Sequence, residues 1–184
     1  MKKNTRTLVA TLALAGAALF SQAAAAAVVD ISSLPSAVTL ASGGSLTFGD
    51  KFKTSNKGNF FNDHFTFNVT QPSSLSLVVT STSTSAANGL NLTGLGLYDS
   101  ANHSLLQGTQ VLTGKEDKWT LSFANLAAGS YYVKVSGNLV SGAGATFSGN
   151  GSLISAVPEP ATYGMLLGGL GLLGLLARRR QSAA

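Results

Sequence analysis

Phe61-Asn62-Asp63-His64-Phe65-Thr66-Phe67-Asn68-Val69 sets Phe61, Asp63, Phe65, Phe67 and Val69 on one side of an extended chain and Asn62, His64, Thr66 and Asn68 on the other. Side chains of a strand alternate faces with a period of two, so this stretch is a strand with a buried face and a wet one. The same alternation recurs on either side of it. Leu75, Leu77 and Val79 share a face, Leu95 and Leu97 precede Tyr98-Asp99, Trp119, Leu121 and Phe123 make another face, and Tyr131, Val133 and Val135 one more. Turn chemistry separates these runs: Ser42-Gly43-Gly44, Gln71-Pro72-Ser73, Asn88-Gly89, residues 99–102 and Ala128-Gly129. No amphipathic helical period lasts three turns between residues 28 and 156. The expected fold class is therefore all-β, an antiparallel β-sandwich whose strands bury one side and wet the other.

The chain has 184 residues, of which 10% are charged, and no cysteine. Disulfides, thiolate metal sites and cysteine nucleophiles are excluded. The formal net charge of +5 suggests a nucleic-acid binder until its distribution is read. Lys2, Lys3 and Arg6 lie at one end and Arg178, Arg179 and Arg180 at the other. Between them Lys51, Lys53, Lys57, Lys115, Lys118 and Lys134 are balanced by Asp30, Asp50, Asp63, Asp99, Glu116 and Asp117. A phosphate-binding surface needs a basic stripe, and the middle of this chain has none, so no nucleic-acid partner is expected.

The two ends read as targeting devices. After the basic head, residues 8–20 are apolar but for Thr11, and Ala23, Ala24, Ala25, Ala26 and Ala27 follow shortly. A basic head, a short apolar core and small residues at the end are the features of a secretory signal peptide. As a helix the apolar core would rise only about 20 Å, against a hydrocarbon thickness of about 30 Å. Residues 1–27 are expected to be removed by signal peptidase, with the mature chain starting near residues 26–28.

At the other end Val157-Pro158-Glu159-Pro160 precedes an uncharged run of leucine and glycine, residues 161–177, which Arg178-Arg179-Arg180 closes. As a helix this run would rise about 25 Å, enough to span a bilayer if the arginines snorkel. The arginines would keep the tail in the cytoplasm, and with a signal peptide in front the middle section would lie outside the inner membrane. The prolines around Glu159 remove backbone donors and fix φ, which favours an accessible extended stretch. Gly169, Gly171 and Gly174 match a dinucleotide-binding fingerprint, but in an apolar span they read as small-residue helix packing.

Pro158-Glu159-Pro160, the Gly/Leu span and the terminal arginines resemble the PEP-CTERM sorting signal of Gram-negative bacteria that make exopolysaccharide. The resemblance implies recognition by an exosortase, a membrane-embedded cysteine-type transpeptidase that cuts at the motif and releases or transfers the protein outward. Phe61-Asn62-Asp63-His64-Phe65 resembles the FxDxF pattern of one group of such proteins. The order Asp63-His64-Phe65-Thr66-Phe67, Leu75-Ser76-Leu77-Val78-Val79, Leu95-Gly96-Leu97-Tyr98-Asp99 and Gly129-Ser130-Tyr131-Tyr132-Val133-Lys134-Val135 is similar to the bacterial pre-peptidase C-terminal domain. That likeness implies a jelly-roll-like, non-catalytic sandwich, some relatives of which bind calcium or matrix polymers.

Asp63 shares its face with Phe61, Phe65 and Phe67, and a buried carboxylate must be paired, hydrogen-bonded, metal-bound or neutralised. Three roles stay open: accepting backbone N–H groups or a Tyr or Trp donor, standing wet at a bulge or sheet edge, or joining Asp99 or Asp50 around calcium. No D-x-D-x-D-G run supports the last, and no cofactor or metal is expected. His64 and His103 read as solvated, and no turn isolates a serine for a catalytic triad. Glu116 and Asp117, flanked by Lys115 and Lys118, read as a solvated loop. Tyr98 and Tyr132 face outward by alternation and are the candidates for sugar contact.

The expected organisation is a signal peptide (1–27), a β-sandwich (28–154) and a sorting tail (155–184), with the motif at 157–160, a transmembrane helix at 161–177 and a basic tail at 178–184. The expected function is that of an exported, non-catalytic surface or matrix protein, or alternatively a carbohydrate- or calcium-binding module. Its expected partners are signal peptidase, exosortase and, transiently, the inner membrane, with exopolysaccharide a candidate. The precursor would reside in the inner membrane and the product at the cell surface or in the extracellular, biofilm-type matrix.

Overall fold

The computed structural model describes residues 27–40, 44–155 and 160–181. The expected signal peptide, save Ala27, and the motif residues Pro158 and Glu159 lie outside the described residues. The described elements are β1 (Ser36–Ala37), β2 (Thr39–Leu40), β3 (Ser45–Phe52), β4 (Phe60–Val69), β5 (Ser73–Thr82), β6 (Leu90–Asp99), β7 (Ser104–Gln107), β8 (Thr109–Leu112), β9 (Glu116–Leu126), β10 (Gly129–Leu139), β11 (Ala145–Ser155) and α1 (Pro160–Gln181). One sheet has the order β1-β4-β10-β6-β7 and the other β2-β3-β11-β5-β9-β8, and the two pack face to face as a sandwich. Apart from the parallel β1–β4 pair, the strand pairs are antiparallel.

The strands form where the alternation places them. Phe61, Asp63, Phe65, Phe67 and Val69 of β4 are all buried, as are Leu75, Leu77 and Val79 of β5, Leu95 and Leu97 of β6, and Val133 and Val135 of β10. Each such apolar side chain contributes about 1.5–3 kcal/mol on leaving water. Phe61 stacks on Phe147 of β11 with ring centroids 5.5 Å apart and lies 4.4 Å from Phe52 of β3, so three strands from both sheets meet in one aromatic group. Trp119, Phe123 and Tyr131 are half-buried and pack against this core.

At both sides of the sandwich a strand passes from one sheet to the other. At one side β1 and β2 are separated by Val38, whose N–H donates to the Thr66 carbonyl at 2.9 Å. At the other, β7 and β8 are separated by Gly108, whose N–H donates to the Leu95 carbonyl at 2.7 Å. A Cβ at Gly108 would stand 2.9 Å from the Thr120 carbonyl oxygen and 3.0 Å from Leu95 Cβ. Only glycine lets the chain turn this corner so close to both sheets. Taking β3, β4, β5, β6, the β7/β8 pair, β9, β10 and β11 in series, one sheet reads 1-8-3-6-5 and the other 2-7-4-5, the β7/β8 pair giving an edge to each.

Asp117 corrects the expectation of a solvated loop. It lies within β9 at 1% exposure, while its neighbour Glu116 is exposed. Its carboxylate accepts the N–H of Leu92 at 3.1 Å and that of Gly114 at 3.2 Å. Two residues on, the indole N–H of Trp119 donates to the Leu92 carbonyl at 3.1 Å. β7 pairs with β6 only over Gly96–Tyr98, so Leu92 has no strand on that side. Two side chains of the opposite sheet supply what a neighbouring strand would have given. The flanking lysines concealed this, because strand alternation, unlike a loop, turns alternate residues inward.

The run expected as a transmembrane helix is helical, as α1, with Pro160 in its first turn, where a missing N–H costs nothing. Yet among the described residues no helix is long and apolar enough to cross a membrane. Side chains 163–174 and Arg178 are exposed.

Candidate functional site

Two groupings of polar side chains stand out from this frame, one inside the sandwich edge and one on an outer face. The first is built on Asp63. Alternation carries it inward with Phe61 and Phe65, and it is 1% exposed. Its Oδ1 accepts the N–H of Ser33 at 2.8 Å, and its Oδ2 is buried with no partner. The hydroxyl of the same Ser33 donates to Asp50 of β3. Ser32 donates to Asp30, and its hydroxyl oxygen accepts the N–H of Asn62 at 2.7 Å. The segment before β1 is thereby strapped along β4, with Ile31 N–H to the Phe60 carbonyl at 2.9 Å adding a backbone bond. Burial above all, then the nearby charges of Asp50 and Asp30, push the Asp63 carboxyl up to about 6, against the Ser33 N–H, which acts the other way.

Of the roles open to Asp63, acceptance of a backbone N–H is the one seen. The carboxylate of Asp50 is brought to it, while Asp99 is taken up elsewhere. Among the described residues no group of three or more His, Cys, Asp or Glu side chains is arranged to hold a metal ion. Phe61 and Phe65, the other members of the FxDxF pattern, serve the core.

The second grouping lies on the outer face of the five-stranded sheet. The β4–β10–β6 register sets Tyr132 opposite both Thr66 and Tyr98, and Lys134 opposite both His64 and Gly96. Tyr98 and Tyr132 stack with centroids 5.1 Å apart and planes 7° from parallel, and His64 packs on Tyr132 at 4.6 Å. The Lys134 ammonium sits 4.7 Å from the Tyr98 ring centroid. Gly96 makes room for this arrangement: a Cβ there would be 2.8 Å from Tyr98 Cε2 and 3.0 Å from Gln107 Oε1. Tyr132 donates its hydroxyl to Asn102 at 3.0 Å, and Gln107 donates to the Tyr98 hydroxyl at 3.3 Å and to Ser104 at 2.6 Å. Asn102 holds φ at 65°, a conformation its short polar side chain tolerates in a turn.

The electrostatics follow from that packing. Burial first, and the Lys134 charge second, hold the His64 imidazole below its ordinary value. Burial alone would lift the Tyr98 phenol, but Gln107 and Lys134 outweigh it and leave the group lowered, whereas burial raises Tyr132. His103 is away from the ladder, exposed at the 99–102 turn with Nδ1 3.0 Å from Asp99. Asp99 accepts the N–H groups of Ala101 and His103 at 2.9 Å, which hold its carboxyl low. A groove of about 480 Å³ runs beside the ladder, with His64, Tyr132 and Asn102 in its wall.

Outward orientation of Tyr98 and Tyr132 was legible from alternation. Their mutual stacking, and the parts played by His64, Lys134 and Gln107, were not, because these come from three other strand positions. Of the sorting residues, Pro160 opens α1 and Arg178, Arg179 and Arg180 fall in its last turns.

Residues 156–181 match the model of the PEP-CTERM protein-sorting motif. Residues 61–137, from β4 to β10, match that of the bacterial pre-peptidase C-terminal domain. The chain thus carries both a sorting motif and a domain of this type. Among solved structures, the pre-peptidase C-terminal domain of a collagenase from Bacillus anthracis is 15% identical, with 65% of this chain and 94% of that one covered and a TM-score of 0.39. PliG of Aeromonas hydrophila, a periplasmic inhibitor of g-type lysozyme, is 13% identical, with 67% and 98% covered and a TM-score of 0.42. No curated protein matches the chain significantly.

Proposed function

We propose that this chain is an exported, non-catalytic bacterial protein of the cell surface or extracellular matrix, and that it is the substrate of an exosortase. The sorting motif at residues 156–181 carries this reading. Signal peptidase removes residues 1–27, and α1 holds Pro158-Glu159-Pro160 at the face of the inner membrane while the exosortase reads it. Arg178, Arg179 and Arg180 keep the tail on the cytoplasmic side. The body delivered is the β-sandwich, and its 1-8-3-6-5 and 2-7-4-5 strand orders support a jelly-roll-like arrangement.

Replacement of Pro158-Glu159-Pro160 by three alanines is the test. The precursor is expected to accumulate in the inner-membrane fraction. Unchanged delivery to the surface would defeat the reading.

A second reading is favoured by the outer-face ladder. Half-buried tyrosines beside a groove, with amide and hydroxyl groups fixed around them, suit a carbohydrate-binding face. Loss of glycan retention on Tyr132→Ala, with the melting temperature kept, is the result expected of it.

A further inference from the structure

Among the described residues, Lys134 is the only ionised side chain projecting from the middle of the outer face of the five-stranded sheet. The other outward positions of β4 and β10 are Phe60, Asn62, His64, Thr66, Asn68, Ser130, Tyr132, Ser136 and Asn138, and the facing β6 positions are Asn91, Gly94, Gly96 and Tyr98, none of them Asp, Glu, Lys or Arg and only His64 and the tyrosines titratable. A solvated sheet face ordinarily mixes charges of both signs. Here one cation is set in a neutral field, half-buried, with its ammonium laid against the Tyr98 ring. Among the described residues no carboxylate pairs with it. Two titratable groups face it: the Tyr98 phenol, against whose ring it lies, and His64, directly across in the register, which burial first and the Lys134 charge second hold below its ordinary value. Asp63 on the same strand points into the core, and Asp99 is engaged by His103.

The rings do not present an open stacking platform. Tyr98 and Tyr132 cover one another, and His64 covers the other side of the row. What remains for a ligand is polar: the phenol hydroxyls, the Gln107 and Asn102 amides that fix them, and the ammonium. The groove shares His64 and Tyr132 with the ladder, and its volume of about 480 Å³ falls in the range of pockets that hold small ligands. A polymer with many anions per turn would need a stripe of cations. A single ammonium among hydroxyl and amide groups matches a chain of sugars with a carboxylate at intervals.

We infer that this face binds an acidic polysaccharide, with the carboxylate of a uronic acid residue on Lys134 and neighbouring sugar hydroxyls on Tyr98, Tyr132 and Asn102. This rests on the carbohydrate-binding reading and specifies its ligand. The charge-assisted hydrogen bond to Lys134 supplies the preference for acid, and the groove beside His64 supplies the path for the adjoining sugars.

The test uses the full chain in detergent micelles and three immobilised polymers: hyaluronan, which carries a carboxylate on every second sugar, the same polymer with its carboxyl groups reduced to alcohols, and dextran. Hyaluronan is expected to be held about tenfold more tightly than its reduced form, and Lys134→Gln to abolish that difference. Lys53→Gln, a change at an exposed lysine off this face, is expected to leave the difference intact. Melting temperatures within about two degrees of the parent establish that each variant is folded. Equal retention of acidic and reduced polymer, sensitive to Tyr132→Ala, would overturn the acidic ligand and leave the carbohydrate reading standing. Retention of none of the polymers would overturn both. Equal losses in Lys134→Gln and Lys53→Gln would mean diffuse charge attraction and would overturn the assigned site.

Discussion

Asp63 and Asp50 hold the two ends of one residue: Asp63 accepts the backbone N–H of Ser33 and Asp50 accepts its hydroxyl. The two carboxyl groups come from different sheets, β4 and β3, and meet where the segment before β1 is laid along the sandwich edge. One Asp63 oxygen is left buried without a partner. A proton on Asp63 is the simplest remedy, since it removes the charge and gives the carboxyl a donor.

Stability is expected to depend on pH through this group. Folding raises the Asp63 carboxyl from 3.8 to about 6, so the folded chain binds the proton more tightly than the unfolded chain. The contribution is fully present below 3.8, is lost as pH rises through about 6, and is absent above that. A displacement of this size corresponds to at most about 3 kcal/mol. Asp63→Asn keeps an acceptor for Ser33 and carries no charge. It is expected to be more stable than the parent at pH 7 by about 1–3 kcal/mol and to flatten the slope between pH 4 and 6. Urea unfolding at a series of pH values measures both.

Asp117 is expected to matter more than its flanking lysines suggest. Asp117→Ala would leave the N–H groups of Leu92 and Gly114 without their acceptor, at about 2–4 kcal/mol. Asp117→Asn keeps one acceptor oxygen and should cost about 1–2 kcal/mol. Glu116→Ala, at an exposed position, should lie within about 0.5 kcal/mol of the parent. Chemical denaturation of the three variants checks the order.

Gly108→Ala tests the sheet-switching corner. The added methyl meets the Thr120 carbonyl at 2.9 Å and Leu95 at 3.0 Å. Overpacking of this kind costs about 1–3 kcal/mol. Gly142→Ala, where a Cβ meets nothing within 4 Å, is the matched control. A thermal melt that fell no further for Gly108→Ala than for Gly142→Ala would remove the corner argument.

His64 is expected to titrate below 6.5 in the folded chain. With its folded value depressed, it contributes stability that is present above 6.5 and lost as pH falls through the folded value. Burial is the larger cause, so Lys134→Met should raise the midpoint without restoring it fully. Imidazole resonances followed by NMR across pH 4–8 give both midpoints.

Much of this molecule is local in origin. An alternating run such as 61–69 needs no knowledge of its neighbours to declare a buried face and a wet one, because the period of two belongs to the extended backbone itself. The same holds for Tyr98 and Tyr132 facing outward and for the order of motif, leucine run and arginines in the tail. Asp117 shows the limit. Its flanking charges suggest a loop, and only the missing strand beside Leu92 explains why a carboxylate is wanted inside.

By itself, then, the order of residues determined which segments extend, which side of each is apolar, and that the tail resembles a sorting signal. Tertiary structure alone decided which strands become neighbours, and with that the Asp63–Ser33–Asp50 clasp, the bond from Trp119 to Leu92 and the ladder of His64, Tyr132, Tyr98 and Lys134. The physical reason is range. Side-chain alternation is set within two residues along the chain, whereas each of these groupings joins atoms from strands or segments far apart in sequence, whose pairing is chosen by burial of the whole core.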